Sequence, residues 1–288
     1  MNDLHKGWIA RAVLPTVILL AALLYAPLVA TLLDSVSDSA TGRLTLAHYL
    51  ALLDDQQVRR GILWTLGYSF ASTCFSLVWG GALAAAVLLE FTGKRWFIAL
   101  SRIPLVVPGV VVAFMTLAIF EQGGVLARLL AVFGIAMPPM VRDPRGIGVV
   151  IAMAWKEAPL MGFIIGSSLA VVPDSAIQAA RSLGASAFQA FLLIRLPLAL
   201  PGIVAAALLG FIRAIGAFAI PSLLGAAYPK PISVLMFEAF ENGNWPRVCS
   251  LAILLSGVSL AAAFLYYQLL GRVSNRNTGR PTRPRPGK

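Results

Sequence analysis

The chain has 288 residues, of which 59% are hydrophobic and only 12% charged, and its mean hydropathy is +0.83. So little charge excludes an ordinary soluble domain and points to an integral membrane protein. The net charge of +11 needs no nucleic acid partner, because much of it lies in the tail 271–288, rich in Arg, Pro and Gly; such a tail is expected to be disordered and either solvated or drawn to anionic lipid headgroups.

Six apolar runs reach the roughly 20 residues needed to cross a bilayer. They lie at about 9–33, 62–89, 97–120, 147–171, 202–224 and 248–270. The first follows Lys6 and Arg11, as a secretory signal would. Its apolar run from Ala12 to Leu33 exceeds a signal core of about 7–15 residues, and no small-x-small cleavage site precedes Asp34, so it reads as a retained helix.

Charge sets the orientation. With the N-terminus inside, thirteen of the 23 Lys and Arg fall on the inner side, at 6, 11, 94, 95, 102, 181, 195, 272, 276, 280, 283, 285 and 288. Eight fall outside, and Lys156 and Arg213 lie within spans. The acids run the other way, three inside (Asp3, Glu90, Asp174) and eight outside. Both termini are therefore expected in the cytoplasm, together with the polar loop 173–201 between the fourth and fifth spans.

Along the spans, Gly80-Gly81 and Gly123-Gly124 read as small residues for close helix packing. Cys74 and Cys249 read as packed thiols rather than a disulfide or metal pair. The segment Ile232–Phe240 sets Leu235, Met236 and Phe240 beside Glu238 and Glu241. It suits the membrane interface, either touching an external protein or simply packing there.

The chain carries no Gly-x-x-x-x-Gly-Lys-Ser/Thr loop, no His-Glu-x-x-His pair and no Cys-x-x-Cys, and its two histidines, His5 and His48, lie outside the spans. No cofactor or metal site of its own is expected. The ionisable residues within spans are Lys156, Glu157 and Arg213. They form a poor catalytic set, which places a membrane enzyme well behind a transport role.

The loop 173–201 has its own logic. Asp174 after Pro173 reads as an N-cap for a short helix through Leu183, and Gly184 suits the left-handed stop beyond it. Ser186 and Gln189 form a capping box for a second helix, whose apolar face is Phe188, Phe191 and Leu192. Leu196-Pro197 and Pro201-Gly202 are expected to break that helix before the next span. The first helix then projects Gln178, Arg181 and Ser182.

Gln178-Ala179-Ala180, three residues, Gly184, nine residues, then Ile194-x-Leu196-Pro197 resembles the signature loop of permease subunits of binding-protein-dependent ABC importers. The family pattern opens with Glu where this chain has Gln178, which leaves Arg181 as the charged contact. Pro27, Leu28 and Ser35, the run Ile103-Pro104-Leu105 with Pro108-Gly109, and the stretches 215–225 and 244–246 are similar to the family as well. The last two look like its spermidine/putrescine branch, whose relatives carry polyamines, opines, ferric iron, thiamine or aminoethylphosphonate.

The resemblance implies an all-α, MetI-like permease fold with six transmembrane helices in one domain, 1–270. It implies a cytoplasmic coupling helix docked on a separate ATPase dimer that binds the ATP, a second permease subunit, identical or not, and a solute-binding protein outside. It implies residence in the bacterial inner membrane. A secondary transporter is the alternative within transport.

For the pathway, Lys156, Glu157, Arg213 and Ala217 are the candidates, since charges inside a membrane usually face a cavity or a partner. Lys156 and Glu157 are neighbours and point about 100° apart, so they need not pair with each other. Pro159 after them favours a kink. Polyamine-carrying relatives often place an acid where Ala217 stands. Arg213 near it repels a cation and favours an anionic or zwitterionic solute, unless Glu157 or a second permease neutralises it.

Overall fold

A computed structural model describes residues 2–37, 43–226 and 229–277. These residues are almost entirely helical. The helices are α1 (Asn2–Val36), α2 (Ala47–Asp54), α3 (Gln56–Leu88), α4 (Lys94–Ser101), α5 (Ile103–Val106), α6 (Gly109–Phe120) and α7 (Val125–Val132). They continue with α8 (Ile147–Ala170), α9 (Asp174–Ser182), α10 (Ala187–Ala190), α11 (Leu196–Ile215), α12 (Ala219–Leu224), α13 (Ile232–Glu241) and α14 (Trp245–Asn277). Among the described residues, six stretches are long and apolar enough to cross a bilayer.

Two of the expected spans move. The third was expected at 97–120, but the crossing stretch is Gly109–Val132, because the run before it is cut into α4 and α5. Pro108 is the cause: it forces the preceding Val107 into extended backbone (φ −70°, ψ 123°), which ends α5. The fifth was expected at 202–224, but the crossing stretch is Ala187–Ile215. The chain breaks at Gly216–Phe218 and resumes as α12. Apolarity continues through both breaks, so a length criterion does not register them. At the C-terminus α14 continues to Asn277, past the expected start of the disordered tail at 271; positions 278–288 lie outside the described residues.

Contacts divide the chain into two compact units. The first comprises Met1–Arg59 and Leu235–Gly257. Half-hidden polar contacts organise it. The Ser35 hydroxyl shares a hydrogen bond with the Tyr49 hydroxyl at 2.7 Å, and Arg247 donates to Asp55. Asp55 in turn accepts from the Gln57 amide at 2.7 Å, capping the start of α3. None of residues 13–34 is buried, as suits a lipid-facing helix.

The second unit comprises Arg60–Val234 and Val258–Lys288. Its centre is α8, half of which is buried. One core cluster gathers Tyr68, Val112, Val149, Met153, Ile220 and Leu224; a second gathers Ala84, Met161, Ile165, Leu169, Ala199 and Ala206. Small residues let the backbones approach. A Cβ on Gly80 would lie 2.6 Å from the Ala158 carbonyl oxygen and 2.7 Å from the Gly162 nitrogen. Gly81 has open space, and Gly123 adopts φ +91° in the turn between α6 and α7. Of the four glycines read as packing residues, Gly80 meets a neighbouring helix, and Gly123 serves a turn instead. Cys74 and Cys249 are free thiols.

Candidate functional site

The loop 173–201 forms a two-helix elbow. Pro173, not Asp174, occupies the cap position of α9, and no side chain caps it. The Asp174 carboxylate instead accepts from Arg195 Nη2 at 2.9 Å, tying the start of the elbow to its end. The stop is as expected. Gly184 has φ +92°, the Ala185 amide reaches the Ala180 carbonyl at 3.1 Å, and the Gly184 amide reaches that of Arg181 at 3.0 Å. That pair of bonds is a Schellman turn, which only a residue at ease with left-handed backbone completes without strain. Ser186 and Gln189 form the reciprocal capping box.

The expected break after the second helix does not occur. From α10 the chain passes through one π-helical turn, Phe191–Arg195, straight into α11. The Leu196 amide bonds the Phe191 carbonyl five residues back, immediately before Pro197, which has no amide to give. Pro197 then sits in the first turn of α11, and its missing amide leaves one gap in the ladder, next to the π turn. Ile194 and Leu196 are half-buried on this continuous rod.

Phe191 packs on the second core cluster, whereas Phe188 is 69% exposed and Leu183 90% exposed. The expected apolar packing face is therefore narrower, centred on Ala190 and Phe191. The exposed remainder, with Gln178, Ala179 and Arg181 open to solvent and Ala180 half-buried, is a mixed apolar and cationic tip.

The second place of interest lies where the two helix breaks meet α8. A cavity of about 330 Å³ is lined by Lys156 and Glu157 of α8, by Gly109 at the start of α6, and by Arg213, Ala217 and Phe218 around the break after α11. All four candidate pathway residues line it. Lys156 Nζ donates to the Val107 carbonyl at 2.6 Å, filling an acceptor that the α5–α6 break leaves open. Glu157 receives Arg213 in a two-pronged pair, Nε to Oε2 at 2.8 Å and Nη2 to Oε1 at 3.1 Å. Of the two fates left open for Arg213, pairing with Glu157 is the one observed. Arg213 stands in the last turn of α11, not in mid-span, where the helix dipole favours a cation. The Ala217 carbonyl in the break accepts from the Ser233 hydroxyl at 2.8 Å.

The lining therefore holds two cations against one carboxylate. Sequence reading missed the Val107 carbonyl and the cavity-lining Gly109. Pro108-Gly109 was the available signal, since proline followed by glycine marks a break.

The described residues thus give a membrane chain of helices with six crossing stretches, a two-helix elbow and a charged cavity at broken helices. Residues 77–276 match the family of the binding-protein-dependent transport system inner membrane component, and the chain belongs to that family. It is a permease subunit of an ABC importer and a multi-pass inner-membrane protein.

Among curated relatives, the molybdenum transport system permease protein ModB of Escherichia coli K12 is 32% identical over 77% of this chain and 96% of its own length. The sulfate transport system permease protein CysT of the same organism is 27% identical over 94% and 98%. The spermidine/putrescine permease protein PotB of Haemophilus influenzae is 32% identical over 50% and 51%. A solved bacterial ABC transporter that imports the acidic polysaccharide alginate superposes with a TM-score of 0.80 at 20% identity, covering 94% of this chain and 98% of that one. That likeness shows the fold.

Proposed function

We propose that this chain carries a small tetrahedral oxyanion, inorganic or borne on a small organic solute such as aminoethylphosphonate, from an external solute-binding protein to the cytoplasm. Both termini and the elbow 173–201 face the cytoplasm in this reading, in keeping with the excess of Lys and Arg there. The elbow docks on an ATPase pair that binds and hydrolyses the ATP, and a second permease subunit completes the pathway. No bond is made or broken in this chain.

The observation that carries the ATPase-coupled part of this function is the elbow. The Schellman turn at Gly184, the Ser186–Gln189 box and the unbroken rod into α11 make it stiff enough to transmit a push from its exposed tip to the membrane. Gln178 supplies no charge, so Arg181 is the ionic contact of that tip.

With Arg213 balanced by Glu157, the cargo assignment is supported by the remaining cation of the cavity, Lys156, which donates to a neutral carbonyl. The relatives named for molybdenum and sulfate point the same way. A polyamine is the weaker reading although PotB is a relative, because the carboxylate of Glu157 is already taken by Arg213 and Ala217 supplies no acid.

The test of the coupling is co-purification. Arg181→Glu reduces ATPase association while the permease stays folded; undiminished association counts against the docking role.

A further inference from the structure

Lys156 and Glu157 are consecutive residues of α8, yet they reach different helix breaks. Lys156 holds the Val107 carbonyl at the α5–α6 break, and Glu157 holds Arg213 at the end of α11. Both contacts border one cavity of about 330 Å³, at the small end of ligand clefts, which run from roughly 300 to 1,000 Å³. Gly109, which opens α6, also lines it. The first helical amide to find a carbonyl in α6 is that of Val112, on Pro108. The amides before it are outside the ladder, as at any helix start, and favour negative charge.

The partners of the two cations differ in kind. Lys156 is met by a neutral carbonyl, which leaves its full positive charge to the cavity. Arg213 is met by a carboxylate in the geometry that an oxyanion itself would take, two parallel N–H···O bonds on one guanidinium. Glu157 is 13% exposed and Arg213 48% exposed in their side chains, and both line the cavity.

We propose that this cavity is a transient oxyanion site in which Glu157 is a built-in competitor. An arriving oxyanion is held by Lys156 and by the guanidinium edge of Arg213, and it weakens the hold of Glu157 on Arg213. When the oxyanion leaves, Glu157 reclaims Arg213. A site that carries its own substitute anion binds cargo weakly enough to release it, which passage requires and storage does not. The proposal rests on the reading of the chain as an oxyanion-importing permease.

The test titrates sulfate and molybdate separately, by equilibrium dialysis, into the permease–ATPase complex without its solute-binding protein. Glu157→Gln removes the competing charge and is expected to bind one or both oxyanions about tenfold more tightly than the unaltered complex. Lys156→Met removes a charged hydrogen-bond donor and is expected to bind roughly 10- to 100-fold more weakly. Arg213→Lys keeps the charge but loses the fork; it is expected to bind more weakly too, and it serves if Glu157→Gln fails to assemble. Equal affinities in all complexes that assemble overturn the site while leaving oxyanion import standing. An unaltered transporter that, with its binding protein, accumulates spermidine and neither oxyanion overturns the cargo reading and this site with it.

Discussion

Arg213 grips Glu157 through both Nε and Nη2, at 2.8 and 3.1 Å, across 56 residues of sequence. The pair joins the end of α11 to the middle of α8. It is a partly buried ion pair, so removing one member costs more than removing both. Arg213→Ala strands Glu157 and is expected to destabilise the detergent-solubilised protein by about 1–3 kcal/mol, less than a fully buried pair because Arg213 is half exposed. The double variant Arg213→Ala/Glu157→Ala is expected to recover part of that loss. Thermal melting of the three proteins makes the comparison, and additive losses argue against the pairing.

Gly80 and Gly81 give a matched contrast. Gly80→Val places a side chain against the Ala158 and Gly162 backbone, and the α3–α8 approach must widen, at a cost of about 1–3 kcal/mol. Gly81→Ala meets nothing within 4 Å and is expected to be neutral or stabilising by up to about 1 kcal/mol. Melting temperatures that fall alike for both variants contradict the packing described.

Gly184→Val places a β-branched residue at φ +92°, a conformation that costs such a side chain roughly 1–2 kcal/mol or more. The elbow is expected to lose its turn, and ATP-dependent uptake with it, while the amount of protein in the membrane is little changed. Gly184→Asn, which tolerates left-handed backbone, is expected to keep most of the uptake. Equal uptake in both variants counts against a stiff elbow.

Asp55 predicts a pH response in the first unit. Partial burial pushes its carboxyl up. The hydrogen bond from Arg247, that from the Gln57 amide and the nearby guanidinium charge outweigh burial, so the group sits below the usual carboxylate range. A carboxylate with a depressed folded value contributes stability that is complete above its ordinary value, near 3.8, and lost as pH falls through the depressed one. Melting between neutral pH and pH 3 is expected to show a loss on the acid side that Asp55→Asn reduces, since the variant lacks the contribution at every pH. An acid limb of identical size in Asp55→Asn removes Asp55 as its cause.

Much of the elbow was legible because its signals are local. A Gly184 stop and a Ser186–Gln189 box each occupy a few residues and act on backbone nearby, whereas of the apolar stripe only Phe191 packs, Phe188 and Leu192 staying exposed. The crossing stretches were legible as apolar length, which is why α3, α8 and α14 fall close to their expected places. The break at 216–218 was harder, because apolarity does not change across it, and the one at Val107-Pro108 was legible only through the likeness of Pro108-Gly109 to a proline-broken third span. Asp174 misled for a related reason: its side chain suits a cap, but a partner 21 residues away, Arg195, competes for it. The cavity depends on which residues of α6, α8 and α11 converge, and no spacing rule encodes that.

ATP-driven import of an oxyanion is open to direct measurement as uptake of labelled sulfate and molybdate into proteoliposomes holding the permease with its ATPase, the solute-binding protein supplied outside. At least one oxyanion is expected to accumulate, with ATP hydrolysis required and with accumulation lost in Gly184→Val. Uptake that persists without the ATPase, or accumulation of spermidine and neither oxyanion, contradicts it.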